Sequence, residues 1–397
     1  MPMNKTGLII GTLPGKYIGI AAGGIATHIG GLIDSLQKKS VKIWICYHKP
    51  FGIRHPEVIN STKVGWLGAV CRGTLKLLFS RNFHFSRYSL KNNLLIAYYV
   101  GTLDPFLKEH KPDFIHVHSL HNPAGVALSL LGWQGNRIVT DHGFWLTLYN
   151  RKQLTLLRDN YAWAHHVIYI SDIAYNEHKK AGLGDMSKLV KIPNPSSFGD
   201  YPVKLAGAAA QSAKKIIFFN GYKESLETKG LRFLLEAMDN DKYLCDNTEL
   251  WILCNDEAQE YIKGRRWKCN LRVYGRKSFP EILEMYRRAD ILVVPSKFES
   301  FGLVYTEALA VGIPVIGYHA VIDEFRNTLG QYIGCGIDIG TENPNDLAGK
   351  IKDVLNAAFD APAVRGALIH NYDWNILLER FLSLYYPEQI ASSNPLS

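Results

Sequence analysis

The sequence runs to 397 residues, 47% apolar and 20% charged, which is the profile of a globular chain long enough for two ordinary α/β domains. No apolar run reaches the roughly 20 residues that a membrane-spanning helix needs. The six cysteines are scattered without a CxxC pair, so neither a disulfide framework nor a cysteine zinc site is indicated, and a reducing, cytoplasmic compartment is expected. The formal net charge of +9 sits in the first quarter: residues 1–100 hold 13 Lys or Arg against two acids, Asp34 and Glu57.

In chain order, Gly7 to Thr12 reads as a first strand and not as a signal peptide, because Thr6 to Leu13 is short and runs into Pro14-Gly15. A glycine loop over Gly19 to Gly24 follows. Ile25, Ile29, Leu32, Ile33 and Leu36 then recur at helical spacing, with Lys38 and Lys39 in the last turn, before a strand over Val41 to Cys46. Lys63 to Lys91 carries six cations (Lys63, Arg72, Lys76, Arg81, Arg87, Lys91) and no acid, with Trp66, Leu75, Leu78, Phe79 and other apolar residues interleaved. Two readings stand. The stretch meets anionic lipid headgroups or a pyrophosphate-bearing acceptor through Arg72, Lys76, Arg81 and Arg87, or it is a basic helix whose apolar side packs into its own domain and whose Lys/Arg face is solvated. No nucleic-acid motif accompanies it.

Further strands are expected over Phe114 to His118, Arg137 to Thr140, Val167 to Ser171 and Leu189 to Ile192, completing one parallel α/β unit. Asn194 to Ser212 is rich in Pro, Gly, Ser and Ala and reads as a connection. A second series begins at Lys215 to Asn220 and continues with Leu250 to Cys254, Leu271 to Tyr274, Ile291 to Pro295 and Pro314 to Gly317. Asn375 to Tyr386 closes the chain as an amphipathic helix. The expected organisation is a first domain over 1–195 completed by about 375–397, and a second over 214–374.

The sharpest motif runs from Pro295 to Gly317, PSKFESFGLVYTEALAVGIPVIG. A strand ends at Pro295, a loop carries Glu299, and a helix starting near Gly302 carries Glu307. At about 1.5 Å per helical residue the two carboxylates lie on the order of 10 Å apart, with the helix N-terminus and its unpaired N–H groups between them. This pattern resembles the Glu-x7-Glu motif of the retaining glycosyltransferases of family 4, which have the GT-B fold: two Rossmann-like domains facing across a cleft. Gly23-Gly24-Ile-Ala-Thr-His28, Lys111 to His118 and Val139-Thr-Asp-His142-Gly143 are similar to that family's first glycine loop and two further strand ends.

The resemblance implies transfer of a hexose from a nucleotide sugar, most often a UDP-sugar, to a glycan acceptor; the basic first domain is expected to present that acceptor, as a lipid-linked oligosaccharide at the inner membrane face. It implies that Glu299 contacts sugar hydroxyls and Glu307 the ribose. Backbone N–H groups of Phe301, Gly302 and Leu303 meet sugar and phosphate, and Gly23 and Gly24 let the backbone approach the diphosphate. Lys229, of Lys229-Gly230, takes the diphosphate, and His118 and His142 border the transferred sugar.

Departures fall on the donor side. Tyr222 follows Gly221 where the family has Arg, so Lys223, one residue on, is the substitute cation. Pro193-Asn194-Pro195 and Tyr318 to Glu324 replace glycine-bearing family motifs. Asp239-Asn240-Asp241 reads as a helix-terminating turn rather than a metal motif, so no metal or other cofactor is expected. The alternatives are a GT-B sugar-nucleotide epimerase and a non-catalytic nucleotide-sugar-binding paralogue. A phosphorylase would need a longer chain, and a NAD dehydrogenase a GxGxxG loop with an acid about 20 residues on.

Overall fold

A computed structural model describes residues 5–18, 23–49, 55–59, 63–204, 214–222 and 225–387. They form two compact units: residues 1–196 with 377–397, and residues 197–376.

The first unit is built on a seven-stranded parallel sheet. Its strands are β1 (Thr6–Ile10), β2 (Lys42–Cys46), β3 (Val58–Ile59), β4 (Phe114–His118), β5 (Asn136–Asp141), β6 (His166–Tyr169) and β7 (Leu189–Lys191), in the order β3-β2-β1-β4-β5-β6-β7. Every residue of β4 is buried, as a central strand covered by helices on both faces requires. The order reverses between β1 and β4, and ligands of open parallel sheets bind beyond the strand ends at such a switch point.

Helix Gly24–Lys38 buries Ile29, Leu32, Ile33 and Leu36 of the expected apolar stripe, with Ala26 in place of Ile25, which is exposed. The basic stretch is not one helix. Helix Lys63–Leu78 ends, a 3-10 turn (Phe85–Arg87) intervenes, and Ser89 caps a second helix, Leu90–Glu109, by accepting from the Asn92 N–H at 3.3 Å. The two helices cross at glycines. A Cβ on Gly73 would lie 1.8 Å from the Ala97 carbonyl oxygen, and one on Gly101 1.9 Å from that of Ala69. The close crossing lets Lys76 reach Asp104 at 2.5 Å, while Arg87 pairs with Asp159 at 2.8 Å. Two of the cations read as surface-facing therefore meet acids from later in the chain.

The last helix, Trp374–Tyr385, carries the chain back to the first unit. Tyr385 stacks on Phe114 with ring centroids 3.8 Å apart and shares a hydrogen bond with His116 Nδ1 at 2.7 Å. Asn136 donates to the Tyr385 carbonyl and Arg380 to that of Lys191.

The second unit has a six-stranded parallel sheet: β8 (Lys215–Asn220), β9 (Thr248–Leu253), β10 (Asn270–Tyr274), β11 (Ile291–Val294), β12 (Val315–Tyr318) and β13 (Gly334–Ile337), in the order β10-β9-β8-β11-β12-β13. Its switch point lies between β8 and β11. Asp241 ends helix Leu231–Asn240, caps the next by accepting from the Leu244 N–H, and pairs with Lys352 at 2.7 Å; Asp239 accepts from the Lys268 N–H. Both carboxylates of that turn are committed to structure. Among the described residues no helix is long and apolar enough to cross a membrane.

Candidate active site

In the second unit the loop after β11 turns back toward the loop after β8. The Lys297 N–H donates to the Thr228 carbonyl at 2.8 Å. Gly230 then passes so close to Pro295 that a Cβ would sit 2.1 Å from the Pro295 carbonyl oxygen, and its φ of +73° suits glycine alone. This tie sets Lys229 against Glu299: Nζ lies 2.6 Å from Oε2, with the side chains 25% and 14% exposed. The Ser300 N–H donates to the other Glu299 oxygen at 3.2 Å.

Gly302 caps helix Leu303–Val311 in the left-handed region, and Phe301 beside it is buried against Phe325 and Tyr372. The start of that helix, with Leu303 at its first position, carries the unpaired N–H groups and positive end of the dipole that suit phosphate oxygens. Glu307 lies one turn in. It keeps an intermediate surface exposure, yet its carboxyl is hemmed in by protein, and that burial pushes it up to about 7 against an opposing hydrogen bond from Tyr286. The Tyr286 hydroxyl donates to Glu307 Oε2 at 3.0 Å and accepts from Asn220 Nδ2, at the end of β8, at 2.8 Å. Tyr286 and Asn220 escape sequence reasoning because a tyrosine inside a helix and an asparagine ending a strand carry no motif. Lys223 lies outside the described residues.

In the first unit the switch point gathers histidines. His118 ends β4 and His142 follows β5; His118 Nδ1 and His142 Nε2 share a hydrogen bond at 3.0 Å. His28, one turn into helix Gly24–Lys38, packs edge-on against both rings, with centroids 5.4 and 5.1 Å away. Gly23 and Gly24 begin this helix and are exposed, Gly23 as its N-cap. One ring nitrogen from each of His28, His118 and His142 lies within 4.8 Å of the other two. Burial, reinforced by the neighbouring imidazoles, lowers His28 and His118 well below the usual histidine range. Burial also brings His142 down to about 4 against the pull of Asp141. All three rings are neutral at pH 7. His28 is the residue that sequence reasoning passes over; the signal was its place one turn past a glycine pair. His142 is held by its neighbour: buried Asp141 accepts from the Gly143 N–H at 3.1 Å and pairs with buried His178 at 2.9 Å.

Beside the histidines a cavity of about 520 Å³ is lined by Thr12, His48, Lys91, His118, Asn122 and Lys152 among others, with no carboxylate in its wall among the described residues.

The description Glycosyl transferases group 1 matches residues 207–371, and Glycosyltransferase Family 4 matches residues 22–195. The phosphatidyl-myo-inositol mannosyltransferase of Mycobacterium tuberculosis is 27% identical over 301 residues, covering 71% of this chain and 75% of that protein. The D-inositol 3-phosphate glycosyltransferase of Mycolicibacterium vanbaalenii is 34% identical over 111 residues, 28% of this chain and 24% of that one. Among solved structures, sucrose-phosphate synthase from Thermosynechococcus elongatus superposes with a TM-score of 0.72 at 18% identity, covering 98% of this chain and 100% of that chain. An Anabaena protein in complex with UDP-glucose gives 0.70 at 13% identity, with 98% and 99% covered.

Proposed function

The chain is a group 1, family 4 glycosyltransferase with the GT-B fold, and on that premise we propose that it transfers a hexose from a UDP-sugar to a lipid-linked glycan acceptor with retention of configuration. Lys229 carries this reading. It is a cation held beside Glu299, on the loop that leads into the start of helix Leu303–Val311, with Glu307 one turn further on. That arrangement offers positive charge to a diphosphate, with one carboxylate for sugar hydroxyls and another for the ribose.

In the proposed reaction the bond between the sugar's anomeric carbon and the donor phosphate oxygen breaks through an oxocarbenium-like state. The acceptor hydroxyl forms its bond on the same face and gives its proton to the departing phosphate oxygen. Lys229 and the N–H groups of Phe301, Gly302 and Leu303 stabilise the leaving diphosphate, with Lys223 the second cation. Gly23 and Gly24 are the positions at which a backbone without side chains would approach a diphosphate. His118 and His142 meet the sugar, and neutral His142 supports the developing charge through a hydroxyl. The acceptor occupies the carboxylate-free cavity of the first unit. The mycobacterial relative, named for a phosphatidyl-inositol acceptor, supports the lipid-linked class.

A thermal-shift screen over UDP, GDP, ADP and their sugars tests the donor, and the anomeric configuration of the product tests retention. Turnover of donor without any acceptor would favour an epimerase, and nucleotide-sugar binding with no turnover a non-catalytic paralogue. Because fixed positive charge stands where a metal would, transfer is expected to persist in excess EDTA. Loss of activity restored by magnesium or manganese would overturn that assignment.

The protein is proposed to work in the cytoplasm as a peripheral protein at the inner membrane face. Leu67, Leu75 and Leu78, with Phe79 just beyond, form an exposed stripe on helix Lys63–Leu78; Leu75 is 60%, Leu78 64% and Phe79 83% exposed. Arg72 and Arg81 are exposed beside the stripe. Each cation near an anionic surface contributes about 1 kcal/mol within a Debye length of about 8 Å. Serine at Arg72, Lys76, Arg81 and Arg87 is expected to release most of the protein from anionic vesicles. Since Lys76 and Arg87 already pair with Asp104 and Asp159, Arg72→Ser with Arg81→Ser is expected to account for most of that loss. Equal vesicle binding by parent and quadruple variant at low salt would return these residues to a solvated helix face.

A further inference from the structure

We infer that His28, His118 and His142 bind a divalent transition-metal ion of zinc's class, and that this ion and the donor sugar exclude one another. The exclusion rests on the proposed placement of His118 and His142 beside the sugar; the metal site does not.

The geometry comes from strand order. β1, β4 and β5 are neighbours in the sheet, so the helix after β1, the end of β4 and the turn after β5 deliver three imidazoles to one point from distant parts of the chain. The strand ends are locked, since the Ser119 N–H donates to the Thr140 carbonyl at 2.7 Å and Asp141 holds the turn beyond His142. Two ligand nitrogens of a tetrahedral zinc, each about 2.0–2.1 Å from the ion, lie about 3.3 Å apart. His118 Nδ1 and His142 Nε2 stand 3.0 Å apart, close to that edge, and one ring nitrogen from each of the three histidines lies within 4.8 Å of the other two.

His118 is 2% exposed. His116, stacked on His118 at 4.2 Å, has both ring nitrogens committed to Tyr385 and Thr140, so it braces the cluster without competing for the ion. Three neutral imidazoles with no carboxylate among them select zinc, copper, nickel or cobalt over magnesium, calcium or manganese. Three protein ligands leave a tetrahedral ion one position for water or a hydroxyl. An ion seated there occupies the nitrogens that the proposed sugar contacts use, so it acts as an inhibitor and not as a cofactor.

The test uses the full chain, stripped with EDTA, exchanged into chelator-free buffer and titrated with Co2+ and Zn2+. One ion per chain is expected, with a tetrahedral cobalt absorption band, and magnesium should not displace it. His28→Gln and His142→Gln should each weaken zinc binding at least about 100-fold, since even outer partners of a metal site are worth 10–100-fold. Circular dichroism and thermal unfolding report whether each variant has folded. His142, the least buried of the three, carries the test if His28→Gln does not fold. Zinc is further expected to inhibit transfer competitively with the donor sugar while sparing the binding of free UDP. No cobalt or zinc uptake, or uptake unchanged in both variants, overturns the site whatever the transfer assay shows. Stoichiometric zinc with an undiminished transfer rate keeps the site and overturns the exclusion.

Discussion

Replacing Glu299 with alanine is expected to lower turnover by about 100-fold or more while leaving affinity for free UDP essentially unchanged, because displacing reacting groups by about 1 Å costs on that order. The carboxylate is held from two sides, by Lys229 at 2.6 Å and by the Ser300 N–H at 3.2 Å, and only 14% of its side chain is exposed. That fixed orientation is what a sugar-positioning group needs, and alanine removes it. Lys229 meanwhile loses its counter-charge and is freed for the diphosphate, so UDP should bind at least as well. The kcat from donor titrations, set beside UDP affinity by calorimetry, separates the two effects. Turnover at the parent rate would remove Glu299 from the sugar. Equal losses in turnover and UDP affinity would mean that the ion pair builds the whole pocket.

Where an apolar run is bounded by turn-forming residues, the fold was legible. β4 and β8 fall on the residues expected, Phe114–His118 and Lys215–Asn220, the former preceded by Lys111-Pro112-Asp113. β13 was not legible, because Gly334-Cys335-Gly336-Ile337 has two glycines and little β-propensity; its pairing with β12 makes it a strand. β3, at two residues, is too short to leave a pattern. The break between Leu78 and Leu90 was hidden by continuous basic and apolar composition, although a serine such as Ser89 is a common N-cap. In the candidate site, Lys229, Glu299 and Glu307 were accessible through a local motif. His28, 90 residues from His118, joins it only through the order β1-β4-β5, which no local window contains.

Glu307→Gln is expected to move binding and stability in opposite directions. The parent carboxyl rises from its ordinary 4.5 to about 7 on folding, because burial penalises the charged form more than the Tyr286 hydroxyl relieves it. The folded protein therefore binds more protons than the unfolded chain between pH 4.5 and 7. Stability conferred by this group is fully present below 4.5, declines through that window and is gone above 7. At about 1.4 kcal/mol per pKa unit, the charge costs the free protein on the order of 3.5 kcal/mol at pH 8. Glutamine escapes that penalty and still accepts from Tyr286, so the variant should be more stable than the parent at pH 8 and similar to it near pH 4.5, read by denaturant unfolding at each pH. Affinity for UDP should fall by about 10- to 100-fold at pH 8, since a hydrogen bond to a charged group is worth about 1.5–3 kcal/mol. The loss should shrink toward pH 6 as the parent carboxyl takes up its proton. The difference between variant and parent cancels the titration of UDP's own phosphate. A carboxylate kept at a stability cost and recovered only with nucleotide bound belongs to the ligand; lower stability at pH 8 with unchanged UDP affinity would make Glu307 a packing group and move the ribose elsewhere.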